Sequence, residues 1–142
     1  MDLGKIGSLI VLAAIGLYIL TKWWRRRLFI RQLRMDRITV AELRKLIDDD
    51  QEIVILDVRP KEIRAQEGTI PGAVSAHPAD TGPALKSYPR ETEIVVYCAC
   101  PNEESAATAA KHLRQAGFKK IRPLLGGIDA WVQAGHPVDR AG

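Results

Sequence analysis

Residues 94–117 read IVVYCACPNEESAATAAKHLRQAG and decide the fold class of the chain. The run from Ile94 to Tyr97 is continuously apolar, which predicts a strand covered on both faces, as parallel sheets require. The alanine-rich segment from Ser105 to Ala116 is predicted to be a helix, and Gly117 supplies its C-terminal cap. A buried strand, a loop and a helix in this order are typical of an α/β domain.

The remainder of the chain from Ile38 onward alternates helix and strand signals in the same way. Thr39 and Glu42 are spaced as a capping box at the start of a short helix. A second apolar run, Ile53 to Leu56, predicts another strand that is buried on both faces. The other predicted elements are a helix from Pro60 to Gln66, a turn at Ile70 to Gly72, a strand from Lys120 to Leu124 and a helix from Ile128 to Ala134. About 100 residues are enough for one small core.

The charge of the chain is unevenly distributed. The 142 residues carry a net charge of +4, which on its own would allow a nucleic-acid-binding protein. Residues 22–37, however, hold seven basic residues and one acidic residue, a net charge of +6. Residues 38–142 hold 13 basic and 15 acidic residues, a net charge of −2. The excess of positive charge is therefore confined to a short segment, and we expect no nucleic-acid partner.

The basic segment follows an apolar run from Ile6 to Leu20 that extends to Trp23 and Trp24. Its length fits one membrane span, and the tryptophans fit the interface, so residues 1–24 are predicted to be a transmembrane anchor. Bulky and cationic residues after the run disfavour a cleaved signal peptide. Residues 25–37 are then a basic juxtamembrane linker, either solvated or lying on anionic lipid, and residues 38–142 form the domain.

This arrangement predicts a single-pass protein of the inner (plasma) membrane. Because the excess of Lys and Arg lies C-terminal to the span, the domain is expected to face the cytoplasm. Residues 6–37 are the part expected to contact membrane lipid. Two cysteines in a reducing compartment argue against a disulfide framework and favour thiol chemistry.

Cys98 and Cys100 lie in the stretch from Tyr97 to Ser105, between a predicted buried strand and a helix N-terminus. Main-chain N–H groups and the helix dipole converge at such a position and favour an anion. A cysteine placed there has a lowered pKa and becomes nucleophilic, although a cysteine at a strand end is more often simply buried.

From Ile38 to Val138 the sequence resembles the single-domain rhodanese-like sulfurtransferases. Five pieces carry the resemblance, in order: Leu56-Asp57-Val58-Arg59, Gly68-Thr69-Ile70-Pro71-Gly72-Ala73, Val95-Val96-Tyr97-Cys98, Ala116-Gly117-Phe118 and Gly126-Gly127-Ile128-Asp129-Ala130-Trp131. The resemblance implies a parallel sheet flanked by helices, without a metal or organic cofactor. It also implies a cysteine that takes sulfane sulfur from thiosulfate or a protein persulfide and passes it to a thiophilic acceptor, such as a protein thiol. Asp57 and Arg59 would be mainly structural and support the site, either as an ion pair or through hydrogen bonds to the backbone.

The resemblance leaves two choices for the nucleophile. Alignment on the strand selects Cys98, whereas alignment backward from the helix end selects Cys100. We prefer Cys98, because a buried strand fixes its end and Pro101 removes one N–H donor next to Cys100. The substrate-binding loop then comprises Ala99, Cys100, Pro101, Asn102, Glu103, Glu104 and Ser105.

Two carboxylates in this loop distinguish it from loops that bind small anions. Glu103 and Glu104 suit a helix N-terminus but oppose anionic sulfur donors. A related phosphatase or arsenate reductase would need an arginine at position 104, so we disfavour that function. Cys98 and Cys100 lack neighbours in sequence that would complete a tetrahedral metal site. The alternatives that stay open are a catalytically weak or inactive interaction module and a thiol redox sensor at the membrane.

Overall fold

The computed structural model describes residues 2–99 and 104–140, with the backbone alone for residues 33–35. The chain forms two compact units, Met1–Gln32 and Leu33–Gly142. The first unit is helical, and the second is an α/β domain. The elements in chain order are α1 (Leu3–Met35), α2 (Val40–Asp48), β1 (Ile53–Asp57), α3 (Lys61–Glu67), β2 (Val74–Ser75), a 3-10 turn (Pro78–Asp80), α4 (Thr81–Ala84), β3 (Glu93–Tyr97), α5 (Glu104–Gln115), β4 (Ile121–Pro123) and α6 (Gly127–Gln133).

Helix α1 is long and apolar. Its stretch Leu3–Gln32 is long and apolar enough to cross a membrane by length and composition, and an 18-residue window within it has a mean hydropathy of 2.1. A signal sequence near the N-terminus would pass the same test. The helix continues beyond residue 24 through the basic segment, because leucine and arginine favour helices and no glycine or proline interrupts residues 17–35.

The domain contains a four-stranded parallel sheet in the order β2-β1-β3-β4. Strands β1 and β3 pair along their whole length, from Ile53 opposite Glu93 to Asp57 opposite Tyr97. Both are central and buried, as their continuous apolar runs predicted. The predicted fold class, a parallel sheet flanked by helices and preceded by one long apolar helix, is confirmed.

The helices cover both faces of this sheet. One face carries Ile55, Val95 and Tyr97 in a cluster that includes Leu43 of α2 and Trp131 of α6. Helix α5 packs against β3 and β4 and buries residues at helical spacing: Ala106, Ala109, Ala110 and Leu113. Successive side chains of a strand point to opposite faces of the sheet. Because helices cover both faces, the central strands need apolar residues at every position.

The predicted capping box of α2 is confirmed. The Thr39 N–H donates to Glu42 Oε2 at 2.8 Å, and the Glu42 N–H donates to Thr39 Oγ1 at 3.2 Å. The boundaries of the other predicted strands and helices of the domain shift by at most one residue, and Pro60 is the N-cap of α3 rather than its first residue. The 3-10 turn and α4 were not predicted.

Candidate functional site

The C-terminal ends of the parallel strands lie at one edge of the sheet. Beyond the strands, the Val58 N–H donates to the Tyr97 carbonyl at 3.2 Å, and the Leu124 N–H donates to the Val96 carbonyl at 2.9 Å. These bonds extend the ladder on both sides of β3. The main chain entering Cys98 is therefore held between the ends of β1 and β4.

Cys98 lies directly after β3 and is buried, with 6% of its surface exposed. Ala99 is exposed beside it. At the other end of the loop, Glu104 is exposed as the first residue of α5, and Ser105 is half-buried. Four of the predicted loop residues, Cys100, Pro101, Asn102 and Glu103, lie outside the described residues.

The turn after β4 packs directly against the main chain of Cys98. A Cβ added to Gly127 would lie 2.1 Å from the Cys98 carbonyl oxygen, so only a glycine fits there. Gly127 also has φ +57°, in the left-handed region that favours glycine. Gly127 belongs to one of the five pieces that carry the rhodanese resemblance, but the sequence did not predict this contact, because the two segments are distant in the chain.

Asp57 and Arg59 form a buried ion pair at the end of β1, beside Tyr97, with 0% and 2% of their surfaces exposed. Arg59 Nε lies 3.0 Å from Asp57 Oδ1, and Arg59 Nη2 lies 2.7 Å from Asp57 Oδ2. Arg59 also donates to Glu67 Oε2 at 3.1 Å and to the Gly68 carbonyl. Removing one partner from such a pair leaves an uncompensated buried charge, which costs about 3–5 kcal/mol.

Tyr97 is the third member of this network. Its hydroxyl donates to Asp57 Oδ2 at 2.7 Å and accepts from the Ile70 N–H at 3.0 Å. Burial and the Asp57 carboxylate raise the pKa of Tyr97 well above its usual value, so the hydroxyl stays protonated at neutral pH. Burial lowers the pKa of Arg59, but hydrogen bonding and the charge of Asp57 outweigh it and leave that pKa raised.

The sequence reasoning missed the role of Tyr97. The residue was counted as the last position of an apolar strand, and a hydroxyl at a buried strand end was the available signal, because buried tyrosine hydroxyls require a partner. Through this hydroxyl, the residue directly before Cys98 is fastened to β1 and to the segment around Ile70.

The histidines and carboxylates do not form a metal centre in the part of the chain that the structure describes, where no group of three or more potential ligands occurs. His77 instead caps the 3-10 turn by accepting the Ala79 N–H through Nδ1 at 3.2 Å. His136 lies against the ring of the buried Trp131, with 4.7 Å between ring centroids.

Comparison with known proteins identifies relatives of this domain. A thiosulfate sulfurtransferase, GlpE of Coxiella burnetii, is 32% identical over 91 residues, which cover 64% of this chain and 81% of that protein. An HTH-type transcriptional regulator of Mycobacterium tuberculosis, Rv0324, is 36% identical over 104 residues, covering 73% of this chain. The chain spans only 45% of the length of that regulator.

A solved structure and a family profile agree with these relatives. The rhodanese-like domain of the Alr3790 protein from Anabaena sp. superposes with a TM-score of 0.65 at 29% identity, covering 75% of this chain and 80% of that one. The profile of the rhodanese-like domain family matches residues 39–134. With its parallel sheet, its buried Asp57–Arg59 pair and its cysteine at the end of β3, the chain belongs to the rhodanese-like domain family.

Proposed function

We propose that the domain is a sulfurtransferase that carries sulfane sulfur as a persulfide on Cys98. The observation that carries this proposal is the placement of Cys98, held at the end of the central strand between the ends of β1 and β4 and against Gly127. A fixed main chain lets the thiolate meet a donor in one orientation, which is a large source of rate in covalent catalysis.

The proposed cycle has two displacements. The Cys98 thiolate attacks the outer sulfur of a donor such as thiosulfate, forming an S–S bond while the donor's own S–S bond breaks and sulfite leaves with its electron pair. An acceptor thiolate, or cyanide in an assay, then attacks the outer sulfur of the persulfide. That step regenerates the Cys98 thiolate and releases an acceptor persulfide or thiocyanate, so no external oxidant or reductant is consumed.

The acidic residues of the site favour a protein persulfide as donor over thiosulfate. Glu104 is exposed at the start of α5, and the domain has a net charge of −2. A dianionic donor is repelled by such groups, whereas a protein partner can bring compensating basic residues. Ala99, Cys100, Pro101, Asn102, Glu103, Glu104 and Ser105 form the donor-binding loop in this proposal, and Asp57 and Arg59 support it.

Intact-mass analysis of the full chain tests this proposal. After incubation with thiosulfate or a persulfide donor, we expect the wild-type protein to gain one sulfur atom, which cyanide removes. The adduct is expected to be lost in Cys98→Ser and retained in Cys100→Ser, the matched control. Loss only in Cys100→Ser would reassign the nucleophile, and no adduct on wild type would favour an interaction module.

We further propose that α1 anchors the protein in the plasma membrane, with residues 1–24 as the span, residues 25–37 as the juxtamembrane segment and residues 38–142 as a cytoplasmic domain. Support comes from the apolar stretch of α1 and from the cations that follow it. A reporter fused after Gly142 should be inaccessible from outside intact cells. Labelling from outside would overturn the orientation, and release by alkaline carbonate would overturn the anchor.

A further inference from the structure

The C-terminal part of α1 carries cations without neighbouring acids. No aspartate or glutamate occurs from Leu3 to Met35. Within the described residues, the five cations between residues 22 and 31 form no salt bridge; they are Lys22, Arg25, Arg26, Arg27 and Arg31. The 33-residue helix is about 50 Å long, whereas the hydrocarbon core measures about 30 Å. If the proposed anchor spans the membrane, these cations emerge at the headgroups.

One face of this segment combines apolar and cationic side chains. Trp24, Arg27, Leu28 and Arg31 are spaced so that they share one helix face, and together they line a shallow groove. Trp24 and Leu28 are 59% and 49% exposed. Arg27 and Arg31 lie one turn apart, about 6 Å along the helix axis. The groove therefore offers a hydrophobic floor beside two guanidinium groups.

The guanidinium of Arg27 contacts a neighbouring aromatic ring. Its guanidinium carbon lies 4.3 Å from the centroid of the Trp23 ring. A guanidinium carries its N–H donors in its own plane, so one beside a ring face can still donate to the oxygens of a phosphate. Within the described residues, Arg27 therefore has an aromatic contact that leaves its donors available to a ligand.

We propose that this groove binds the headgroup of an anionic phospholipid. The inference rests on the proposed membrane anchoring. Arg27 and Arg31 donate to the phosphate oxygens, and Trp24 and Leu28 contact the glycerol and the first acyl carbons. A zwitterionic choline headgroup fits less well, because its ammonium group meets the same cluster of cations. The juxtamembrane segment then selects the lipids around the protein.

Quenching of tryptophan fluorescence tests the site on the full chain in phosphatidylcholine vesicles. Acyl-brominated phosphatidylglycerol and acyl-brominated phosphatidylcholine are compared at equal mole fraction. Trp131 is buried in the domain core, so quenching by acyl-chain bromines reports Trp23 and Trp24. We expect phosphatidylglycerol to be preferred over phosphatidylcholine by about fivefold or more, because one basic side chain near an anionic surface strengthens binding by about that factor.

Two double variants with the same loss of charge distinguish a groove from a diffuse basic patch. Arg27→Gln/Arg31→Gln should abolish the preference, whereas Arg25→Gln/Arg26→Gln, on other faces of the helix, should retain most of it. Equal loss in both variants, or no preference in wild type, overturns the proposal.

Three further outcomes separate the alternatives. Abolition of the preference by inorganic phosphate at constant ionic strength would identify a free-anion site and overturn the lipid assignment. Tight binding of duplex DNA to the protein in neutral vesicles would identify a nucleic-acid partner and overturn it as well. Failure of the protein to float with vesicles in alkaline carbonate would instead refute the anchor, which is a separate result from loss of lipid preference.

Discussion

Replacing Gly127 by alanine should slow sulfur transfer by displacing Cys98. The new Cβ would lie 2.1 Å from the Cys98 carbonyl oxygen, and real Cβ atoms essentially never approach closer than 3.0 Å. The two main chains must therefore separate by about 1 Å, and the obstacle is backbone rather than a flexible side chain. A misplacement of about 1 Å at a reacting group can lower a rate about 100-fold.

The same substitution should also destabilise the domain. An alanine at φ +57° costs about 1 kcal/mol. The steric overlap adds about 1–3 kcal/mol. The expected loss in the free energy of unfolding is therefore about 2–4 kcal/mol.

Gly135→Ala is the matched control for this prediction. Gly135 has φ +83°, but an added Cβ would meet no atom within 4 Å. It should therefore lose only about 1 kcal/mol of stability and keep the wild-type rate. The measurements are urea unfolding, kcat for transfer from thiosulfate to cyanide, and the alkylation rate of Cys98. If folded Gly127→Ala alkylates and turns over like Gly135→Ala, the contact does not position Cys98.

Three further substitutions test other parts of the domain. Tyr97→Phe should lower the free energy of unfolding by about 1–3 kcal/mol, since Asp57 and a buried N–H lose a partner. Because folding raises the pKa of Tyr97, the stabilisation that its hydroxyl provides is complete below about pH 10 and falls as the pH rises further. The difference in the free energy of unfolding between wild type and Tyr97→Phe, measured by urea titration, should therefore narrow above that pH. A difference that stays constant with pH would contradict this. Glu104→Gln should lower KM for thiosulfate by up to about fivefold, and this effect should weaken as salt is added. The control is Glu91→Gln, which precedes β3 at the opposite edge of the sheet and should leave KM unchanged. Equal effects of the two substitutions would refute a local origin. Thr39→Ala removes the cap of α2 and should cost about 1 kcal/mol without changing turnover, and an unchanged urea midpoint would contradict it.

The central part of the fold was predictable because its signals are local. Strands β1 and β3 are buried on both faces, which requires the continuous apolar runs seen in the sequence. Helix α4 was not predictable in this way, because Gly82 and Pro83 disfavour a helix locally. It is held by tertiary contacts: Thr81 Oγ1 donates to the Ala109 carbonyl at 3.1 Å, and a Cβ on Gly82 would meet the Ala116 side chain at 3.2 Å.

The candidate site was predictable only in part, for the same reason. An ion pair between Asp57 and Arg59 was one of the two interactions that the family resemblance implied, and the structure contains it. The hydrogen bonds of Tyr97 and the approach of Gly127 to Cys98 join segments far apart in sequence. Such contacts depend on strand order, which a single sequence does not specify.

The residues around the site fall into two groups: those that position the proposed nucleophile and those that affect which donor binds. Gly127 and Tyr97 act on the main chain at Cys98 and do not depend on the sulfur donor. Glu104 is exposed and acts on the charge that a donor meets. Substitutions of the first kind should therefore change kcat with every donor, whereas those of the second kind should change KM for anionic donors alone. Under this division, an acidic loop is compatible with an active cysteine, since it restricts the choice of donor without disturbing the geometry of attack.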